Sequence, residues 1–488
     1  MLPFKPALLW TDLLLFGLVL ALLLVVWYIR RHEHLAAPWR KVAMSRAGMV
    51  SATLLAVFAT IGLLDSLHYR PALPDEAAAA VPAGKTAPGK DAPGKAAAGE
   101  TRYAVELRSV LDLLLDPLPS QVETTYSAPL ATRAFNKTAI EGDEGTVRDY
   151  PRLKYGGAHL VDDSSYGGDI ATRAAGGALK GLGLGFAVLA VLALLLSPRR
   201  AVDRLTGWLA GNGEDAVHCA AWTLLVVAAL GGALSGLAGA YHVFGTDKVG
   251  QDVLYQILKS IRTALVIGTL TTLVTLPIGV VLGIAAGYFR GWIDDLIQYL
   301  YTTLNSIPGV LLIAAAVLMT QVYMDTHPES FETVTARADF RLLFLCLILG
   351  ITSWTGLARL LRGETLKLRE LEYVQAAQAF GVSSWNILGR HILPNVMHIV
   401  LIALVMDFSG LVLAEAVLSY VGVGVDPSMI SFGTMINSAR LEMAREPMVW
   451  WALAAAFVFM FVLVLAANLF ADAVRDALDP RTRVRGVA

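Results

Sequence analysis

About nine stretches of mostly apolar residues punctuate this chain, and an α-helix needs roughly 20 such residues to cross the ~30 Å hydrocarbon core of a bilayer. They fall at 8–29, 48–67, 179–197, 217–240, 263–289, 303–324, 342–361, 396–420 and 448–471. Composition agrees, since 56% of the 488 residues are hydrophobic and only 16% charged. Such a chain is too apolar for an ordinary soluble protein, and the expected fold is an all-α polytopic membrane protein. Neither a basic excess nor an aromatic-basic pattern is present, which argues against a nucleic-acid partner. The first run is long for a signal-peptide core and Pro38-Trp39 is a poor cleavage context, so it reads as a spanning helix. Cys219 and Cys346 lie inside apolar runs and read as small buried hydrophobes; a disulfide or metal site is the weaker reading.

Lys and Arg near the ends of spans are retained on the cytoplasmic side, so alternate basic loops set an orientation. Arg30, Arg31, Arg40, Lys41 and Arg46 follow the first run, Arg199, Arg200 and Arg204 the third, Arg290 the fifth, and Arg359, Arg362, Lys367 and Arg369 the seventh. Arg475, Arg481, Arg483 and Arg485 mark the tail. The N-terminus is then expected outside, the C-terminus and the loop at 373–395 in the cytoplasm. Lys248, Lys259 and Arg262 run against this pattern, because they lie in a stretch expected outside.

Domain organisation follows from composition. Two spanning helices occupy 1–67, and an Ala/Pro/Gly/Lys tract at 68–99 reads as a flexible linker because it cannot bury a core. Gly84-Lys85-Thr86 has no upstream glycine at phosphate-loop spacing and is dismissed as such a loop. Residues 100–178 mix Tyr103, Tyr126, Phe135, Tyr150, Tyr155 and Tyr166 with glycines and polar residues, as expected of a small extracytoplasmic insert. Asp162, Asp163 and Asp169 are not spaced as calcium ligands and read as a solvated turn. Two further spans at 179–240 precede a core at 241–488.

Between the last two basic-loop spans lies YVQAAQAFGVSSWNILGRHILPN at 373–395. Gln375, Ala376 and Ala377 are good helix formers, Gly381 tolerates a sharp turn, Ser383 or Ser384 can cap a second helix, and that helix is expected to stop at Pro394. A short helix with a small-residue face, presented by membrane helices, suits insertion into a groove on a partner. The spacing resembles the EAA loop of ABC-importer permeases, with His391 and Pro394 in its closing RHILPN, and the form is most similar to the dipeptide, oligopeptide and nickel branch. Gln375 stands where that loop has an acidic residue.

Two more segments carry the same resemblance. VFGTDKVGQD at 243–252 reads as a turn and capped helix start, built on Gly245, Thr246, Asp247, Gly250 and Asp252, and is similar to the GTDxxGRD signature of the same permeases with Gln251 replacing its arginine. LAEAVLSYVGVG at 413–424 and NLFADAVRDALDPR at 468–481 also look like peptide permeases. In the fifth run Gly279, Gly283 and Gly287 form a small-residue face for close helix packing, within the subunit or against a partner. In the eighth run Asp407 is the one deep carboxylate, with Glu415 two turns later on nearly the same face. Such groups tend to face the bundle interior or a watery passage, and a bond from Asp407 to Ser409 or a neighbouring helix is an equally weighted reading.

The resemblance implies a type I ABC-importer permease core with extra N-terminal helices and an extracytoplasmic insert, working as a non-catalytic subunit for peptides, with nickel or another small solute as the alternative cargo. It implies a second permease, two ABC ATPase subunits that hold ATP and Mg, an extracytoplasmic substrate-binding protein, and membrane lipid around this chain. No GxxxxGK[ST] loop is present in this chain to cradle ATP itself. An ion-coupled secondary transporter would use Asp407 and Glu415 as a proton relay, but no repeated halves with broken helices are evident. A membrane-embedded enzyme is disfavoured because His391, His398 and Asp407 are spread too far along the chain to specify a site.

Overall fold

The computed structural model describes residues 4–72, 103–142, 145–160, 163–196, 198–211, 216–331 and 333–478. Most of the 68–99 linker, Gly84-Lys85-Thr86, Asp162 and the tail residues Arg481, Arg483 and Arg485 lie outside the described residues. The helices are α1 (Trp10–Arg31), α2 (Glu33–Met44), α3 (Arg46–Asp65), α4 (Val110–Leu114), α5 (Tyr166–Leu196), α6 (Ala201–Ala210), α7 (Val217–Ala238), α8 (Val253–Phe289) and α9 (Gly291–Ser306). They continue as α10 (Gly309–Thr326), α11 (Val334–Ser353), α12 (Thr355–Arg369), α13 (Glu372–Ala379), α14 (Ser384–Ile387), α15 (Leu393–Val421), α16 (Phe432–Glu442) and α17 (Trp451–Leu478).

Among the described residues nine helical segments are long and apolar enough to span a membrane, and each contains or overlaps one of the expected runs. Several run well past the apolar stretch. Val334–Arg369 is one 36-residue span and Val253–Phe289 one of 37 residues. A helix satisfies its own backbone whether its side chains meet lipid or water, so hydropathy marks where the bilayer starts and a cap marks where the helix starts. For α8 that cap is Asp252, whose carboxylate accepts from the N–H of Leu254 at 2.8 Å and of Tyr255 at 3.2 Å.

The two spanning helices of 1–67, α1 and α3, do not form one separate unit. Helix α3 packs between α17 and α8, with Phe58 in a buried cluster shared with Val253, Ile257, Ile261, Val412, Phe432, Trp451 and Leu463. A Cβ added at Gly62 would come within 2.5 Å of a Leu265 methyl, which shows how close α3 and α8 lie. Helix α1 sits outside this cluster and is fastened by charge. The Arg262 guanidinium donates to Asp12 at 2.6 Å and Ser66 at 3.2 Å, and Asp339 on α11 accepts from the backbone and hydroxyl of Thr11. On the same face of α8 the Lys259 ammonium lies 2.7 Å from Asp65 and 2.8 Å from Asp112. These two cations therefore do not act as free positive charges in the loop count, because each is neutralised by carboxylates from α1, α3 and α4.

Glycines of α8 settle the packing question within the subunit. Cβ atoms added at Gly279, Gly283 and Gly287 would meet Leu357 at 3.0 Å, the Ala358 carbonyl at 2.7 Å and Thr365 at 2.6 Å, so their face is closed by α12. Helices α5 and α7 repeat the device: a Cβ at Gly181 would lie 2.0 Å from the Ala228 carbonyl.

The insert is mixed structure. Strand β1 (Phe4–Ala7) pairs antiparallel with β2 (His68–Pro71), with Phe4 opposite Pro71 and Ala7 opposite His68, and β2 pairs with β3 (Arg108–Ser109). A separate hairpin joins β4 (Thr138–Gly142) to β5 (Gly145–Asp149). Asp169 is no solvated turn residue: it lies in the first turn of α5, 2.7 Å from His159 and 2.8 Å from both Arg173 and the Tyr241 hydroxyl.

Candidate functional site

The polar segment folds into α13, a tight turn and α14, on the opposite end of the bundle from the insert. Helix α13 ends in a Schellman motif: the Val382 N–H donates to the Ala377 carbonyl at 3.1 Å and the Gly381 N–H to Gln378 at 3.0 Å, with Gly381 left-handed at φ 72°. Ser383 occupies the cap position of α14, but its side chain makes no capping bond. The second helix does not stop at Pro394. A five-residue π turn, Leu388–Ile392, carries it into α15, and the segment Ser384–Val421 is continuous over 38 residues. Proline lacks an N–H and its ring crowds the preceding turn; the wider π turn relieves both at this point, and Pro394 then stands in the first turn of α15, where a missing N–H costs least. The loop's second helix and the spanning helix are therefore one rod.

One face of the loop is anchored. Val374, Ile387 and Ile392 are fully buried against Ile284 and Tyr288 of α8 and Leu357 and Leu361 of α12. Arg369 donates to the Tyr288 carbonyl at 2.8 Å, Gln378 to the Tyr288 hydroxyl at 3.3 Å, and Asn395 to the Tyr373 hydroxyl at 3.1 Å and the His391 carbonyl at 2.6 Å. The other face is open: Gln375 and Ala376 are exposed, Ala377 is half-buried toward the core, and His391 is half-buried beside the Tyr373 ring. Phe380 and Trp385 project from it at 87% and 77% exposure. The sequence reading passed over these two; the available signal was a pair of large aromatics flanking Gly381 in an otherwise polar stretch. Two aromatics this exposed add apolar area to the open face of the loop.

At the other end, the turn of Gly245, Thr246, Asp247, Gly250 and Asp252 is clamped by the insert. Gly250 is left-handed at φ 78°, and a Cβ there would fall 1.8 Å from the Glu123 carbonyl oxygen. The Thr246 hydroxyl accepts from the Ser127 N–H at 2.7 Å and donates to the Thr125 carbonyl, while Trp451 Nε1 donates to the Thr246 carbonyl at 3.0 Å. Asp247 accepts at 2.9 Å from the N–H of Val249 and of Gln251. Behind the turn, His242 sits between Asp252 at 2.8 Å and Glu123 at 3.4 Å. Burial alone would lower its pKa, but the two carboxylates outweigh it and raise it to about 9. Burial likewise works to raise Glu123, yet His242 and the N–H groups of Tyr155, Lys154 and Gly156 bring it down to about 2. This charged knot is held in one state near neutrality, which suits a structural clasp.

The two carboxylates of α15 part company. Glu415 is 1% exposed and accepts from the Ser419 hydroxyl at 2.6 Å and the Ser431 hydroxyl at 2.9 Å; Ser431 in turn caps α16. It fastens the 422–431 loop, and the return of α16 gives it a partner that Asp407 lacks. Asp407 is half-buried and, among the described residues, has no hydrogen bond or ion pair. Ser409 donates instead to Asn468 at 2.7 Å.

Comparison with known proteins bears on this arrangement. Residues 279–484, which hold the glycine face, the loop, α15 and α17, match the family described as the binding-protein-dependent transport system inner membrane component. A glutathione transport system permease protein of Pectobacterium atrosepticum is 36% identical over 244 residues, half of this chain and 73% of that protein. The chain belongs to this permease family. An oligopeptide transport system permease protein of Mycobacterium tuberculosis is 33% identical, covering 50% of this chain and 78% of its own, and a dipeptide transport system permease protein of Bacillus subtilis is 29% identical, covering 50% and 70%. A solved methionine ABC transporter aligns over 46% of this chain and 96% of its own at 17% identity and TM-score 0.34. The all-α polytopic architecture stands as observed, and helix α1, the insert and the α5–α7 hairpin lie outside the residues that match the permease family.

Proposed function

We propose that this permease carries peptides across the membrane as half of an ATP-driven importer, receiving them from an extracytoplasmic binding protein. The observation that supports the reading most is the rod formed by α14, the π turn and α15: a surface loop with two exposed aromatics is continuous with the helix that carries Asp407. Two ABC ATPase subunits, which bind ATP and Mg, dock on Gln375, Ala376, Ala377, Gly381, Phe380, Trp385 and the His391–Pro394 end. Their closure tilts the rod and so changes which side the passage faces. A second permease completes the pair, and this chain supplies no catalytic residue. The loop lies in the cytoplasm and the insert outside, with the N-terminus outside as well. The similar proteins named for glutathione, oligopeptides and dipeptides support a peptide cargo.

Asp407 lies on the passage, where a carboxylate without a partner offsets part of the cost of bringing a protonated amine into a medium of low dielectric. Glu415, tied to its serines, takes no part in the passage. Purification of the tagged permease from its native membrane, with its companions and bound ligand identified by mass spectrometry, tests the assignment. An ATPase and a peptide-loaded binding protein are expected; a chain that transports a peptide without any ATPase would overturn it.

A further inference from the structure

Helices α5 and α7 form a tight pair, and α7 also packs against α3. At the insert's end Leu237, Ala238, Tyr241 and Val243 pack on Leu254, and the Gly157 N–H donates to the Ala240 carbonyl at 2.8 Å. At the other end the Ala216 N–H donates to the Ala43 carbonyl at 3.0 Å. Beside these contacts the hairpin, α3 and α17 enclose between them a cavity of about 830 Å³. Its walls are apolar: Leu54 and Phe58 of α3, Val188 of α5, Leu224 of α7 and Phe459 of α17 are typical. One charged side chain lines it, Lys180. Lys180 is exposed and, among the described residues, forms no hydrogen bond or ion pair.

The dimensions choose the occupant. From Gly177 to Val188 the wall rises about 16 Å at 1.5 Å per residue, which is one leaflet of a ~30 Å hydrocarbon core. Lys180 stands near the insert's end of that wall, two helical turns below Arg173 in the first, polar part of α5. Its long stem can snorkel toward the polar first turns of α5, where Arg173 stands. No carboxylate lines the cavity to neutralise it. A lysine without a protein partner at this depth calls for an anion, and the apolar walls below it call for acyl chains.

We infer that the cavity between the α5–α7 hairpin and the core is a binding site for an anionic phospholipid of the leaflet on the insert's side, its phosphate held by Lys180 and its acyl chains filling the space down to Val188 and Leu224. The bound lipid completes the packing between the added hairpin and the permease core, as basic pockets between spanning helices do for anionic headgroups elsewhere.

The test uses the full chain in its purified membrane complex, exchanged into vesicles of equal phosphatidylglycerol and phosphatidylcholine, re-extracted, washed and analysed for retained lipid. About one phosphatidylglycerol per chain is expected to survive washing. Lys180→Gln should lower the retained ratio of phosphatidylglycerol to phosphatidylcholine about fivefold, the effect of one cation near the headgroup level. Gly231→Trp should cut retention of both lipids, because a side chain added at Gly231, which lines the cavity, meets nothing within 4 Å and so fills space without displacing backbone. Gly17→Trp, equally free of neighbours but on α1, is the folding control and should retain lipid as the parent does. A parent complex with no retained lipid, as when a partner subunit's helix fills the cavity, overturns the inference. So does an unchanged lipid ratio in Lys180→Gln or unchanged retention in Gly231→Trp.

Discussion

Replacement of Gly381 isolates the mechanical role of the loop, because nothing lies within 4 Å of a Cβ added there and its left-handed φ of 72° is the only constraint. A side chain at that angle costs about 1–2 kcal/mol for an ordinary L residue, less for asparagine, which visits this region readily. Val374 and Ile387, both fully buried, hold the flanking helices, so the cost falls on the turn and not on the fold. A turn destabilised by that amount shifts its population about 5–30-fold. Gly381→Ala and Gly381→Val complexes should therefore lose ATPase stimulation by loaded binding protein in that range, with valine worse because of its β-branch, while Gly381→Asn stays near the parent. Gly381→Pro, whose φ is locked near −65°, should abolish coupling. The assay is ATP turnover of reconstituted complexes with and without binding protein, alongside thermal unfolding of the permease. Equal stimulation across the series, or a fall in melting temperature that tracks the loss of coupling, would refute the reasoning.

The His242 clasp makes stability depend on pH in both directions. With His242 raised from 6.5 to about 9, its contribution is complete below 6.5 and is lost as pH climbs through 9; with Glu123 lowered from 4.5 to about 2, its contribution is complete above 4.5 and is lost as pH falls toward 2. Unfolding midpoints should thus be flat between 4.5 and 6.5, and His242→Gln should remove the alkaline decline. Asp407→Asn should slow uptake of peptides with a free amino terminus more than of N-blocked ones, with basal ATPase activity unchanged, measured on complexes of verified assembly; an unchanged ratio removes Asp407 from the passage. Gly283→Leu would drive a side chain into the Ala358 carbonyl and should cost about 1–3 kcal/mol through displaced α12, read as reduced yield of assembled complex. For orientation, Tyr150→Cys should react with an impermeant thiol reagent added outside spheroplasts and Ser384→Cys should not.

Hydropathy runs, Asp252, Gly381 and the glycine spacing of α8 were legible in the linear order because each acts through local physics: burial in lipid, a cap, a left-handed turn, a helical period. By themselves they determined a polytopic helical chain, the location of the loop and a capped start to α8. Three matters were decided only in the folded chain. Pro394 reads as a stop locally, yet a π turn carries the helix past it, since the buried Ile387 and Ile392 hold both sides in line. Arg262 and Lys259 count as misplaced cations until Asp12, Asp65, Asp112 and Asp339 arrive from remote segments to neutralise them. Asp407 and Glu415 look alike on a helical projection, but only Glu415 meets Ser431, which comes from beyond the end of α15. A carboxylate's role depends on what stands within about 3 Å of it, and partners supplied by distant parts of the chain leave no mark in the residues beside it.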